Sequence, residues 1–210
     1  MKIRSLIGVF MTALILSACW IGDRDDYEVQ YDSTLIEVLC QTPGAQTFCQ
    51  LSFMTPTYQS GASEGAPIVG FVLGQSGIGG SDQGIRCASS VETVFAPSDS
   101  AWQVYVDRFP HWNSVNDIPQ DTLFTILKHH IVRNKKLHVQ IDNPVCADEE
   151  IQNGAIYEMW DGRNWQFQVV NNQLAALSLA NSQFTVDIYS PDTTTTDGIV
   201  YVIDKVLGPF

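Results

Sequence analysis

His129 and His130 stand side by side in LKHHIV, residues 127–132, and adjacent imidazoles raise metal binding or acid–base work as the first chemistry to test. Consecutive residues of a helix point about 100° apart, so the two cannot share one ion as an i, i+4 pair would. His130 falls on the apolar stripe Leu123, Ile126, Leu127, Ile131 and reads as a hydrogen-bonded core residue. His129 is expected to be more exposed. His111 and His138 belong to other elements, so only the fold could gather a histidine cluster. Ser98 and Asp99 follow Pro97, and a serine there invites a nucleophile reading. No G-x-S-x-G elbow surrounds Ser98, and helix capping accounts for it better. Asp204 lies in an apolar run and, if buried, needs hydrogen bonds from backbone or from His130. Asp148, Glu149 and Glu150 read as a solvated acidic loop in preference to a cation site. Trp160 and Trp165 flank Asp161-Gly162, and Trp112 follows a helix end. Exposed rings beside Asn164, Asn171 and Asn172 would suit stacking on sugars, although packing is the commoner use of tryptophan. No catalytic residue, metal or cofactor is assigned.

The elements that must position these groups are legible from periodicity. Ser33 or Thr34 can cap a helix carrying Leu35, Val38 and Leu39, which Pro43-Gly44 stops. A second helix is expected over Ala45–Met54 with Phe48 and Leu51 inward. Glu92–Ala96 favours a strand, and Trp102, Tyr105, Val106 and Phe109 make the buried stripe of the helix after it. Asp117 with Gln120 looks like a capping box for the helix that carries His130. LHVQI, residues 137–141, alternates as a strand, and Tyr157–Val170 reads as a hairpin with Trp165, Phe167 and Val169 on one side. Phe184–Tyr189 is a further strand, and Ile199–Leu207 is apolar on both faces, hence central. Helices come first and strands mostly follow, which is an α+β plan.

Residues 56–90 interrupt this order, with eight glycines in 35 positions around one short apolar run, Ile68–Leu73. They read as a Gly/Ser-rich insertion. Residues 20–32 hold five acidic side chains and one arginine and read as a solvated tether. The net charge of −12 argues against nucleic acid, whose phosphates demand a basic face.

The first residues supply an export signal: Lys2 and Arg4, an apolar run from Leu6 to Leu16, then small residues before Cys19. About a dozen apolar residues fall short of the roughly 20 that span a membrane. The quartet Leu16-Ser17-Ala18-Cys19 resembles the bacterial lipobox. That resemblance implies cleavage after residue 18 and acylation of Cys19, with lipid chains enough for stable anchoring. The localisation it implies is the outer membrane, facing the periplasm or the cell surface. Cys40, Cys49, Cys87 and Cys146 then remain, an even number suited to an oxidising compartment. Three pairings exist; Cys40–Cys49 with Cys87–Cys146 is favoured, because the first pair flanks the Pro43-Gly44 turn.

Three segments in order resemble the fasciclin domain: TVFAPSDSAW (93–102), LKHHIV (127–132) and DGIVYVIDKVLGP (197–209). TLIEVLCQTPGAQTFCQL is similar to the opening helices of bacterial members. In the central segment His130 matches the family's histidine, whereas His129 replaces its tyrosine. The resemblance spans residues 33–210 apart from the insertion. It implies a wedge-shaped β-sandwich with helices along one edge, in which Pro97, Ser98, Asp99, His130 and Asp204 mark the motifs. It further implies surface adhesion or ligand capture without catalysis. The altered pair makes the receptor-binding role tied to that tyrosine in animal members unsafe to carry over. Two functions are kept: a tethered adhesion module for a protein partner, and a glycan-capturing lipoprotein of a nutrient-uptake system using Trp112, Trp160 and Trp165.

Overall fold

A computed structural model of the chain describes residues 35–53, 92–141, 148–180, 182–190, 193–195 and 198–208. The export signal 1–18, Cys19, the tether 19–32, Ser33, Thr34, the insertion 56–90, Cys87 and Cys146 lie outside them.

Strands β1 (Glu92–Pro97) and β10 (Gly198–Ile203) are buried at every position and pair in parallel. β2 (Ile131–Arg133) flanks β1 and β9 (Thr193–Thr194) flanks β10, both antiparallel, giving the order β2-β1-β10-β9. Burial on both faces is what the unbroken apolar runs predict. One face meets the helices α1 (Leu35–Gln41), α2 (Gln46–Ser52), α3 (Asp99–Val106) and α4 (Gln120–Lys128). Val94, Ala96, Val200 and Val202 pack there with Leu35, Leu39, Phe48, Trp102, Leu123 and Ile126. The other face meets a second, antiparallel sheet of β5 (Ile156–Glu158), β6 (Asn164–Val170), β7 (Gln173–Leu179) and β8 (Thr185–Asp187). Phe95, Tyr201 and Ile203 pack against its Trp165, Phe167, Leu177 and Val186. The architecture is thus the α+β sandwich expected, with the helices gathered on one side.

Two local features fix the helices to the sheet. A Cβ at Gly198 would lie 2.1 Å from Leu35 Cδ1 and 2.5 Å from the Glu92 carbonyl oxygen, so only glycine lets α1 approach β10. Cys40 and Cys49 are disulfide-bonded and join α1 to α2. Among the described residues no helix is long and apolar enough to cross a membrane.

Several expectations need correction. Asp148–Glu150 is not a loop but strand β4, paired in parallel with β3 (Lys136–His138). The capping box belongs to Ser114 and Asp117 around a single 3-10 turn, Val115–Asp117, because the Asp117 carboxylate turns back to the Ser114 N–H at 3.0 Å. α4 begins after Pro119 with no side-chain cap. The second helix is shorter than expected, and the strand read over 137–141 is Lys136–His138. β7 had no counterpart in the sequence reading. It is joined to β6 by Asn171 and Asn172 at φ 52° and 58°, a two-residue turn whose primed geometry asparagine tolerates.

Candidate functional site

The polar motif residues are each held by hydrogen bonds within the fold. Pro97 closes β1 opposite Ile203. Ser98 is the N-cap of α3, its Oγ accepting the Ala101 N–H at 3.2 Å and lying 2.9 Å from Ser100 Oγ. Asp99 accepts the Thr47 N–H at 2.7 Å, and its own N–H donates to the Gly44 carbonyl at 2.6 Å. Together these fasten the start of α3 to the α1–α2 turn. His130 is fully buried against Phe48 and Trp102. Its Nδ1–H donates to the Ile126 carbonyl at 2.8 Å, and Nε2 accepts the Leu207 N–H at 2.8 Å. Burial drives its pKa down to about 3, with the Ile126 bond opposing, so the ring is neutral with the proton on Nδ1. Asp204 sits just past the end of β10, not inside the strand. It accepts the Asp187 N–H at 2.7 Å and pairs with Lys205 at 3.3 Å, so backbone and not His130 is its partner.

His129 corrects the expectation of exposure. Its side chain is 3 % exposed, and Nδ1 lies 2.5 Å from Asp161 Oδ2, whose other contact is Arg163 Nε at 3.2 Å. Helix α4 ends one residue earlier, so the ring turns toward the β5–β6 turn and leaves the solvent face. Burial lowers the His129 pKa while Asp161 raises it, and Nε2 is buried with no hydrogen-bond partner among the described residues. His138 pairs with Asp148 at 3.2 Å, and His111 lies against Phe109 and Trp112, so the four histidines do not converge. Among the described residues no group of three or more metal-ligating side chains gathers.

Glu92, the first residue of β1, is a buried carboxyl. Arg133 Nε is 3.9 Å away, beyond hydrogen-bond range, and neither oxygen has a hydrogen-bond partner among the described residues. Burial raises its pKa to about 8, against the opposing pull of the Arg133 charge and of the Asn134 backbone N–H, which faces the carboxyl without meeting hydrogen-bond geometry.

The tryptophans divide. Trp165 is fully buried and meets Phe184 edge-on, so Trp160 and Trp165 do not form an exposed stacking pair. Trp112 packs on Phe109 at 4.2 Å. Trp160 instead borders a groove of about 360 Å³ between β2 and β5, with Val132 and Met159 among its walls. Arg133 lies over the Trp160 ring at 5.0 Å, and Lys135 over the Tyr157 ring at 5.5 Å while it pairs with Glu149. Burial, helped by Glu149, pushes the Tyr157 hydroxyl up to about 12, so it stays protonated. Arg133, Lys135 and Tyr157 were missed because the rings that the two cations cover, Trp160 and Tyr157, lie more than twenty positions away. β2 and β5 are edge strands of their sheets, so this groove faces outward between two rims.

A family model described as the fasciclin domain matches residues 85–209. Among solved structures, the chain is similar to a FAS1 domain pair from the insect cell adhesion molecule fasciclin I, at 16 % identity and a TM-score of 0.47. That alignment covers 84 % of this chain and 51 % of the other, so this chain spans about half the length of that structure. A search of curated proteins finds no match.

Proposed function

The chain belongs to the fasciclin domain family, and from that premise we propose that it is an exported lipoprotein, held by acylated Cys19, whose domain binds a protein partner and does not catalyse. The observation that carries this reading is the division of labour among polar side chains. Ser98, Asp99, His130 and Asp204 each serve the fold. The β2–β5 groove meanwhile offers cations laid on aromatic rings at an open rim, the residue chemistry that dominates protein interfaces. Uptake of glycans through Trp160 and Trp165 gains no support, since Trp165 is inside the sandwich.

Tethering and binding are tested separately. Cys19→Ala is expected to abolish acyl labelling and to release the protein from membranes or leave an uncleaved precursor; undiminished acylation would remove the anchor. Cross-linking on intact cells should recover a partner with the parent chain and lose it with Trp160→Ala plus Arg133→Ala. Recovery of the same partner by the double variant would move the interaction elsewhere.

A further inference from the structure

A second cavity opens on the molecule between the two sheets, formed by the β6–β7 turn and the segment following β8. Its volume is about 140 Å³. A dry cavity of about 150 Å³ takes one six-membered ring, so this one is sized for a single ring and not for a longer chain. Its floor is carbon: Leu174, Ile188 and the ring of Tyr201, whose hydroxyl is already turned away to the Leu137 carbonyl at 2.7 Å. Its rim is polar without charge: Asn172 and Gln173, both exposed, and Ser190. Ser190 Oγ accepts the Val202 N–H at 3.1 Å, which fixes the oxygen and leaves its hydroxyl proton to donate outward. Tyr189 completes the rim at 67 % exposure, a large aromatic residue standing in water.

Among the described residues no carboxylate or ammonium lines this cavity, although the chain carries 34 charged side chains and a net charge of −12. A charged ligand would therefore find no counterion, and an all-carbon ligand would leave the amides and hydroxyls without use. The ligand that matches both halves is a neutral ring with a C–H face and a hydroxylated edge. We infer that this cavity binds one uncharged sugar residue, its C–H face toward Tyr189 and Leu174 and its hydroxyls toward Asn172, Gln173 and Ser190. The site is distinct from the β2–β5 groove and does not rest on partner binding there.

Saturation-transfer NMR on the full acylated protein in detergent micelles, with empty micelles as blank, provides the test. The probes are methyl β-glucopyranoside and methyl α-mannopyranoside, with glucuronate as the charged and cyclohexanol as the apolar comparison. At least one neutral glycoside should saturate at a roughly millimolar dissociation constant, as befits a ligand of about a dozen heavy atoms. Tyr189→Ala and Gln173→Ala, both at exposed positions, should each weaken it about fivefold or more, and Trp160→Ala should leave it unchanged. Absence of saturable transfer for both glycosides overturns the proposal. Equal or tighter binding of glucuronate or cyclohexanol overturns the ligand class, and loss of binding in Trp160→Ala alone overturns the location.

Discussion

Two buried ionisable side chains lie in the layer beneath the helices, one toward each end of β1. His130 has a partner for both nitrogens, one from helix α4 just before it and one from the C-terminal segment. Glu92 has a hydrogen-bond partner for neither oxygen among the described residues. Each is held neutral by burial, His130 with a pKa near 3 and Glu92 near 8. The difference teaches where polarity is structural: a satisfied imidazole ties two elements together, whereas an unsatisfied carboxyl only costs desolvation. His130 binds α4 to the chain after β10, and its carbonyl accepts the Phe95 N–H from β1 at 2.8 Å.

The sharpest way to break this contrast is to remove the tie. His130→Ala should leave a cavity against Phe48 and Trp102 and strand the Leu207 N–H, costing about 2–4 kcal/mol. That is a large share of a domain's roughly 5–15 kcal/mol. Urea denaturation measures it. A loss under about 1 kcal/mol would mean that the two hydrogen bonds contribute little and that His130 is free for another role.

The second effect is in the pH profile, where the two residues pull in opposite directions. His130 and His129 have lowered folded pKa values, so their contribution is present above pH 6.5 and is lost as pH falls below it. Glu92 has a raised one, so its contribution is complete below pH 4.5 and is lost as pH rises from 4.5 to 8. Each proton contributes a slope of at most about 1.4 kcal/mol per pH unit. Stability should therefore peak near pH 6.5 and fall by about 1–2 kcal/mol on approaching pH 8. Glu92→Gln, which cannot ionise, should flatten that alkaline limb. An alkaline limb of unchanged slope in the variant would show that Glu92 is not the group responsible.

The same contrast explains what could be read before any coordinates. Ile199–Ile203 and Trp102, Tyr105, Leu123 and Ile126 announce themselves because burial imposes a period on consecutive residues. Ser98 reads as a cap because its bond spans three residues. The environment of Glu92 has no such signature, since Arg133 lies forty-one positions away and meets it only through strand pairing. The groove fails for the same reason: Arg133 and Trp160, or Lys135 and Tyr157, are neighbours only after two sheets have formed. β7 was hidden by its own composition, because Leu174, Ala176 and Leu177 are buried on an alternation that the small Ala175–Ala176 pair blurs.

His129 stands between the two extremes, with one nitrogen bonded and the other without a partner among the described residues, and it should give the smallest effect of the three. Its helical position alone suggested exposure and a cost of about 0.5 kcal/mol or less. The pairing with Asp161 revises that figure upward. Removing the ring deprives Asp161 of one donor but leaves it the Arg163 side chain and the Arg163 backbone N–H, so the carboxylate is not abandoned. The same change relieves a buried Nε2 that bonds to none of the described residues. Loss and relief partly offset, and His129→Ala should cost about 1 kcal/mol. A double-mutant cycle with Asp161→Asn isolates the pair, and its coupling energy should be about 0.5–1 kcal/mol. A coupling of zero would return His129 to the role of a space-filling ring, and one above about 2 kcal/mol would make it a tie as firm as His130.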